Sequence, residues 1–148
     1  MIGAVYAVLS IALQPISFGA HQFRVSEALT LLPVLTPAAV PGLVVGCVIS
    51  NMIGGAGILD VVFGFLATLL AALATRALRG KPVLAALPPV IFNTVIVGTV
   101  LSCVGSLPLL WTMLDVGIGE LGVCFILGLP LLWALKRAKL FEKTASGQ

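Results

Sequence analysis

The stretch GAHQFRVSEAL, residues 19–29, is the most polar part of the first half of this chain. It holds the only histidine, His21, and within six residues it adds an amide at Gln22, a guanidinium at Arg24 and a carboxylate at Glu27. The sequence on either side is almost entirely apolar. Because a charge at mid-bilayer costs about 2.5–3.5 kcal/mol even on lenient scales, we expect these side chains to lie near a membrane surface and to find partners.

The composition around this stretch is that of an integral membrane protein. Of the 148 residues, 60% are hydrophobic and 9% are charged, and the mean hydropathy is +1.23. Soluble domains carry about 25% charged residues, so eight basic and five acidic side chains are too few for a soluble surface of this size. The net charge of +3 does not indicate a nucleic-acid partner, because the basic residues follow apolar spans. We therefore place residues 1–148 in the lipid bilayer as one all-α domain.

The apolar segments predict five or six spanning helices, since a span needs about 20 apolar residues. The beginning, MIGAVYAVLSIAL, lacks the basic segment of a secretory signal and is interpreted as part of the first span. Prolines interrupt residues 28–53, which predicts two helices, with one kinked helix as the alternative. We expect loops at NMIGGAGILD and at GSLPLLWTMLD, the second with Trp111 at the membrane interface. The predicted helices are 2–18, about 27–36, about 38–53, 58–78, 83–105 and 116–135.

The two ends of the predicted bundle differ in charge. The basic clusters follow the fourth and sixth helices, or the third and fifth if there are five, so they share one side, which the positive-inside rule makes cytoplasmic. The N-terminus is inside for six helices and outside for five. The outer side then receives residues 19–27, 51–60 and 106–120. Polar side chains in or beside these segments are Gln22, Arg24, Glu27, Asn51, Asp60, Asp115 and Glu120.

This convergence predicts a small-molecule pocket that opens to the outside. Asp60 and Glu120 are the stronger ligand candidates because neither has a basic residue at helical spacing, although an acid at a helix N-terminus is the alternative, which Asp115 fits better. Asn93 lies about midway along its helix and is a candidate pocket floor. Asn51 and Asn93 are equally suited to interhelical hydrogen bonding.

The residues around the opening stretch leave further alternatives open. Arg24 and Glu27 are three apart and would face each other on a helix, either as a structural ion pair or as a ligand-binding pair. We expect His21 to have a surface role. Aromatic side chains that flank the polar segments either pack and anchor the interface or stack on a flat ligand ring; they are Phe18, Phe23, Phe63 and Trp111.

Signatures of catalysis and of metal binding are missing from the sequence. There is no GxxxxGK[ST] phosphate loop, so we expect no ATP hydrolysis by this chain. There is no HExxH, pair of histidines or nucleophile elbow either, and we predict no enzyme activity, metal or cofactor. Three isolated cysteines are interpreted as small buried hydrophobes, namely Cys47, Cys103 and Cys124. Small residues at 3 and 7, and at 42, 46 and 50, predict close helix packing.

Five segments together resemble the QueT family of substrate-binding S components of energy-coupling factor (ECF) transporters. The similarity runs from about residue 3 to 137, and QFRVSEAL is its most specific part. Members of that family usually begin a few residues earlier, with a basic start that is missing here. The segments are FGAHQFRVSEALTLLP (18–33), PAAVPGLVVGCVISN (37–51), DVVFGFLATLLAAL (60–73), PPVIFNTVIVG (88–98) and IGELGVCFILGLPLL (118–132).

The resemblance implies a six-helix S-component bundle in the bacterial cell membrane, with both termini cytoplasmic. It also implies uptake of a queuosine precursor, a 7-deazaguanine such as queuine or its aminomethyl precursor. The implied partners are a coupling transmembrane protein and two cytoplasmic ATPases. The alternatives are an S component for another small vitamin-like molecule, an intramembrane enzyme that uses the acids, or a purely structural membrane protein.

The chemistry of a deazaguanine suits these residues. A carboxylate can accept its adjacent N–H donors in a bidentate pair, and a side-chain amide can donate to its carbonyl. We assign Glu120 or Asp60 to the ring edge, and a cationic aminomethyl group would use a second acid. The predicted substrate-binding residues are Gln22, Glu27, Asn51, Asp60, Asn93 and Glu120, with supporting roles for Arg24, Phe23 and Trp111.

Overall fold

The computed structural model describes residues 1–17, 23–55 and 57–139, and these residues form an all-helical bundle. A short helical turn, Gln14–Ser17, follows the first helix after a break at Leu13. The described residues contain six apolar helices, α1 (Ile2–Ala12), α2 (Val25–Val34), α3 (Ala39–Ile53), α4 (Ile58–Ala77), α5 (Pro82–Gly105) and α6 (Leu109–Ala138). Three of them, α4 to α6, are long and apolar enough to cross a membrane, whereas α1 to α3 are shorter.

Proline and turn residues set the ends of these helices. The stretch with three prolines forms two separate helices, α2 and α3, as the first of the two sequence interpretations predicted. Pro37 lies in the break between them, where its ring disfavours helix in the preceding residue. Gly55, with φ of 74°, forms the turn between α3 and α4. Pro82 opens α5, where its missing N–H costs nothing.

The predicted loop GSLPLLWTMLD and the predicted last span of 116–135 were wrong in their boundaries. Helix α6 begins at Leu109, directly after Pro108, and continues to Ala138. The residues after Pro108 contain no glycine or proline until Gly117, so nothing stops the helix once it has begun. Asp115 therefore lies within α6 rather than before it.

Helix α2 is the central helix of the bundle. Every residue from Ser26 to Val34 is buried, and α2 contacts each of the other five helices. It is wound as a 3₁₀ helix, which rises about 2.0 Å per residue, so ten residues extend about 20 Å instead of the 15 Å of an α-helix. Helix α2 is therefore buried on all sides, and its polar side chains Ser26, Glu27 and Thr30 lie inside the bundle.

Helices α1 and α3 pack at the distance that their glycines allow. A Cβ atom added at Gly3 would lie 2.5 Å from the carbonyl oxygen of Gly42, and one at Gly46 would lie 2.6 Å from that of Gly3. The small residues at these positions therefore have the packing role that the sequence predicted.

Two of the three cysteines are buried as predicted, and the third is not. Cys47 packs among α1, α2, α3 and α4, and Cys124 packs among α2, α5 and α6. Cys103 is exposed on α5, so its prediction as a buried residue was wrong. It lies in a groove with other apolar side chains, among them Phe63 and Val100, and lipid can cover such a face.

Candidate ligand-binding site

The carboxylate of Glu27 lies in the first turn of the central helix, and its side chain is 1% exposed. The hydroxyl group of Tyr6, on α1, donates a hydrogen bond to Oε1 of Glu27. Its Oε2 makes no hydrogen bond within the described part of the chain. Buried polar atoms are nearly always paired. One oxygen of Glu27 is held by Tyr6, and the other is available to accept a hydrogen bond.

Glu120 and Asn93 complete a polar cluster with Glu27. They are 5% and 3% exposed, on α6 and α5. The Cys124 thiol, one turn along α6, contacts Oε2 of Glu120 at 3.9 Å. The Asn93 side chain lies near both carboxylates, but its Nδ2 makes no hydrogen bond to any of residues 1–17, 23–55 and 57–139. The cluster therefore offers an unused donor beside an unused acceptor.

Both of these helices widen at the cluster. Residues Asn93–Val97 of α5 and Val123–Gly128 of α6 are wound as π-helix. Such turns are rare and often occur at functional sites. Asn93 begins the first of them, near the middle of α5, and Glu120 lies three residues before the second. Glu120 is also eleven residues into α6, about 16 Å from its beginning.

Arg24 is buried beside the cluster, at the N-terminal end of α2. Its positive charge acts on the carboxylates of Glu27 and Glu120. The half-buried carboxylate of Asp60 also interacts with it. A guanidinium keeps its charge in proteins, so Arg24 brings one fixed positive charge to three acids.

Asn51 joins the end of α3 to the beginning of α4. It is fully buried, and its Nδ2 donates to the backbone carbonyl of Asp60 at 3.1 Å and contacts the Cys47 sulfur at 3.7 Å. Gly64 leaves room for it, since a Cβ atom there would lie 2.7 Å from Nδ2. Its Oδ1 makes no hydrogen bond to any residue that the structure describes. Interhelical bonding, one of the two predicted roles, accounts for one end of this amide.

The remaining predicted residues lie away from the buried cluster or outside the described residues. Gln22 is in the second group, together with Phe18 and His21. Phe23 is partly exposed directly before Arg24, and Trp111 is 72% exposed in the first turn of α6. The exposed indole fits the predicted anchoring role at a membrane interface.

Sequence reasoning missed three side chains that shape the site, namely Tyr6, Thr30 and Cys124. The Thr30 hydroxyl donates to the backbone carbonyl of Glu27 at 2.5 Å. Tyr6 had a usable signal, because it is the only tyrosine in the chain and lies in an apolar span. A buried tyrosine hydroxyl needs a partner, and the acids offered one.

The donor set of this site consists of two carboxylates and one side-chain amide. The described residues contain no group of three or more His, Cys, Asp or Glu side chains placed to hold a metal ion. Two carboxylates flanking an amide instead present acceptors and a donor side by side. This arrangement matches a flat molecule whose edge alternates donors and acceptors.

Comparison with known proteins identifies a family that the chain matches. The family model described as QueT transporter matches residues 1–137. No curated protein and no solved structure matches the chain.

Proposed function

The chain belongs to the QueT transporter family, and from this membership we propose that it is the S component of an ECF-type importer for a 7-deazaguanine precursor of queuosine. In this proposal the chain captures the base, queuine or its aminomethyl precursor, at the outer face of the bacterial cell membrane. A coupling transmembrane protein and two cytoplasmic ATPases supply the energy. The sequence has no GxxxxGK[ST] phosphate-binding loop, so in this proposal the partner subunits hydrolyse the ATP.

The buried cluster of Glu27, Asn93 and Glu120 carries the proposal for the ligand. Three helices supply these side chains. Two of the side chains have a polar atom that makes no hydrogen bond within the described residues, namely Oε2 of Glu27 and Nδ2 of Asn93. A buried polar atom without a partner costs about 1–3 kcal/mol. A bound ligand can satisfy such atoms, and ligand sites combine apolar walls with a few placed polar groups.

The edges of a 7-deazaguanine match these atoms in kind. The ring presents two adjacent N–H groups, which carboxylate oxygens accept, and we assign one of them to Oε2 of Glu27, because Tyr6 already donates to Oε1. The neighbouring ring carbonyl accepts from Nδ2 of Asn93. Asp60 and the Oδ1 of Asn51, both near the α3–α4 turn, are proposed as further contacts, as is Gln22 in the signature stretch.

The six apolar helices support a six-span topology with both termini on the cytoplasmic side. Basic residues follow the C-terminal end of α4 and end α6, which the positive-inside rule assigns to the cytoplasm. The 3₁₀ winding of α2 lets ten residues cover about two thirds of a hydrocarbon core about 30 Å thick. Glu27, at the other end of α2 from Arg76, is then nearer the outer face.

Mass spectrometry of the purified subunit tests this function. The protein, extracted in mild detergent from cells that make queuosine precursors, is expected to carry a 7-deazaguanine that is released on denaturation. The Glu27→Gln variant is expected to carry less, and Asp115→Asn is the matched control because it makes the same acid-to-amide change at a partly exposed position of α6. A different vitamin in the wild-type protein would contradict the proposed substrate and favour another S-component specificity.

A further inference from the structure

The end of the bundle opposite Glu27 has cationic and no acidic side chains among the described residues. Glu27 and Asp60 begin α2 and α4, whose other ends lie here. The nearest described acid along α6 is Glu120, sixteen residues before Lys136 and so about 24 Å away along the helix; Glu142 lies outside the described residues. The described cations at this end are Arg76, Arg79, Lys81, Lys136, Arg137 and Lys139.

The end of α6 presents two of these cations beside an exposed indole. Trp133 is 52% exposed. Lys136 and Arg137 follow it by three and four residues, which places the three side chains on one face of the helix. Four residues rise about 6 Å, so the cations lie about one turn nearer to the helix end than the ring. This order matches a membrane interface, where tryptophan lies below the headgroups and long basic side chains reach up to them.

A groove of about 550 Å³ lies against this face of α6. The described residues that line it are Pro130, Trp133, Ala134, Lys136 and Arg137. The short side chains of Pro130 and Ala134 leave the hollow beside the indole. Pockets that hold a small molecule have volumes of about 300–1,000 Å³. The groove therefore has the size of a ligand site, with an apolar floor and a cationic rim.

Two further grooves of the bundle differ from this one in charge. One lies between α5 and α6 and has a volume of about 410 Å³, and the other lies between α4 and α5 and has about 400 Å³. No charged side chain is among the described residues that line either of them. Acyl chains of any lipid can fill such grooves, whereas the groove at the end of α6 can also distinguish one headgroup from another.

We infer that the groove at the end of α6 binds an anionic phospholipid from the leaflet at the basic end of the bundle. An acyl chain packs along Pro130, Ala134 and the ring of Trp133, and the phosphate accepts hydrogen bonds from Arg137 and Lys136. A zwitterionic lipid brings its own cation, which these two side chains repel, whereas phosphatidylglycerol brings one uncompensated negative charge. This site is separate from the buried cluster and does not depend on the proposed ligand.

The two tryptophans of the chain provide a position-specific test, because Trp111 and Trp133 are about 33 Å apart along α6. The Trp111→Phe protein, whose only tryptophan is Trp133, is placed in phosphatidylcholine bilayers. These contain brominated phosphatidylglycerol or, at the same mole fraction, brominated phosphatidylcholine, since bromine on the acyl chain quenches a tryptophan that the lipid contacts. We expect an association constant for phosphatidylglycerol at least about fivefold higher than for phosphatidylcholine. The Trp133→Phe protein, which reports on Trp111, is expected to show no such preference.

Two double variants in the Trp111→Phe protein test the cations of the groove. The groove variant combines Lys136→Gln with Arg137→Gln, and its two association constants should agree within about twofold. The control variant combines Arg79→Gln with Lys81→Gln. It also removes two exposed cations from this end of the bundle, but neither of them lines the groove. Its preference should stay within about twofold of that of the Trp111→Phe protein.

Each outcome has a definite meaning. Equal association constants at Trp133 overturn the inference and favour an acidic protein surface as the partner of this end. A preference that is as strong at Trp111, or that the two double variants lose equally, overturns the groove as the site. A groove variant that keeps the preference overturns the role of Lys136 and Arg137. Should the groove variant not fold, the comparison of Trp133 with Trp111 decides. None of these outcomes changes the test of 7-deazaguanine binding.

Discussion

The hydroxyl group of Tyr6, on α1, donates its hydrogen bond to the Glu27 carboxylate, on the central helix α2. The same tyrosine packs on α3, where a Cβ atom added at Gly46 would lie 3.0 Å from the Cβ of Tyr6. One side chain therefore links the proposed ligand carboxylate to the tightest helix contact of the bundle. The position of α1 on α3 and the orientation of Glu27 depend on each other.

Replacing Tyr6 with Phe tests this link. The change removes one hydroxyl group and leaves Oε1 of Glu27 buried without its donor, which costs about 1–3 kcal/mol. We expect a lower melting temperature and roughly tenfold weaker binding of the aminomethyl base in calorimetric titration. Ser10→Ala is the control, because it removes the 2.6 Å hydrogen bond to Ser26 between the same helices without touching the carboxylate. Equal loss of binding in both variants would contradict a specific role for Tyr6.

The glycine contact between α1 and α3 gives a second prediction. Gly46→Ala places a methyl group 2.6 Å from the carbonyl oxygen of Gly3, where only backbone movement makes room. We expect a loss of about 1–3 kcal/mol, as for other overpacked sites, measured as reduced thermal stability in detergent. Gly80→Ala, where nothing lies within 4 Å, should change the melting temperature little. A Gly46→Ala protein as stable as Gly80→Ala would show that the helices do not pack this closely.

The boundaries of these helices were predictable where apolar length or a proline defines them. Apolar length located α4 and α5 nearly to the residue, and the prolines separated α2 from α3. The beginning of α6 was not predicted, because GSLPLLWTMLD, which contains Thr112 and Asp115, was interpreted as a loop. A single proline, Pro108, starts the helix, and the two polar side chains are accommodated within it.

The candidate site was predictable as a set of residue types and not as a set of contacts. The uneven distribution of the acids indicated Glu27, Asp60 and Glu120, and helical position indicated Asn93. The spacing of Arg24 and Glu27 indicated that these two side chains could face each other, but the sequence contains no signal that Glu120 also comes near Arg24, because that depends on how α2 and α6 approach each other. The 3₁₀ winding of α2 and the π-turns of α5 and α6 likewise arise from packing, which the intrinsic helix propensities of the residues do not predict.

Arg76 leads to a prediction at the opposite end of α2. Its guanidinium donates to the carbonyl oxygens of Pro33 at 3.0 Å and Val34 at 3.5 Å, which end the central helix. Arg76→Met removes these donors, and we expect a loss of about 1–3 kcal/mol in the free energy of unfolding. Arg79→Met, at an exposed position one turn later, is the control and should cost less than about 0.5 kcal/mol. Similar melting temperatures for the two variants would show that Arg76 does not hold the end of α2.

The two acids that the sequence favoured should differ in their contribution to ligand binding. Glu120 is buried, whereas Asp60 is half-buried at the beginning of α4, where solvent screens its charge. We expect Glu120→Gln to weaken binding of the aminomethyl base at least tenfold and Asp60→Asn to weaken it less than about threefold. Binding that neither change alters would contradict the placement of the ligand between these helices.

The most direct test of the central claim is a calorimetric titration of the purified subunit with 7-aminomethyl-7-deazaguanine, in the wild-type protein and in Glu27→Gln. The buried cluster predicts saturable binding of one base per chain in the wild-type protein and at least tenfold weaker binding in the variant, with Asp115→Asn unchanged. Wild-type protein that binds no 7-deazaguanine, or a Glu27→Gln variant that binds it as tightly as the wild type does, would contradict the account.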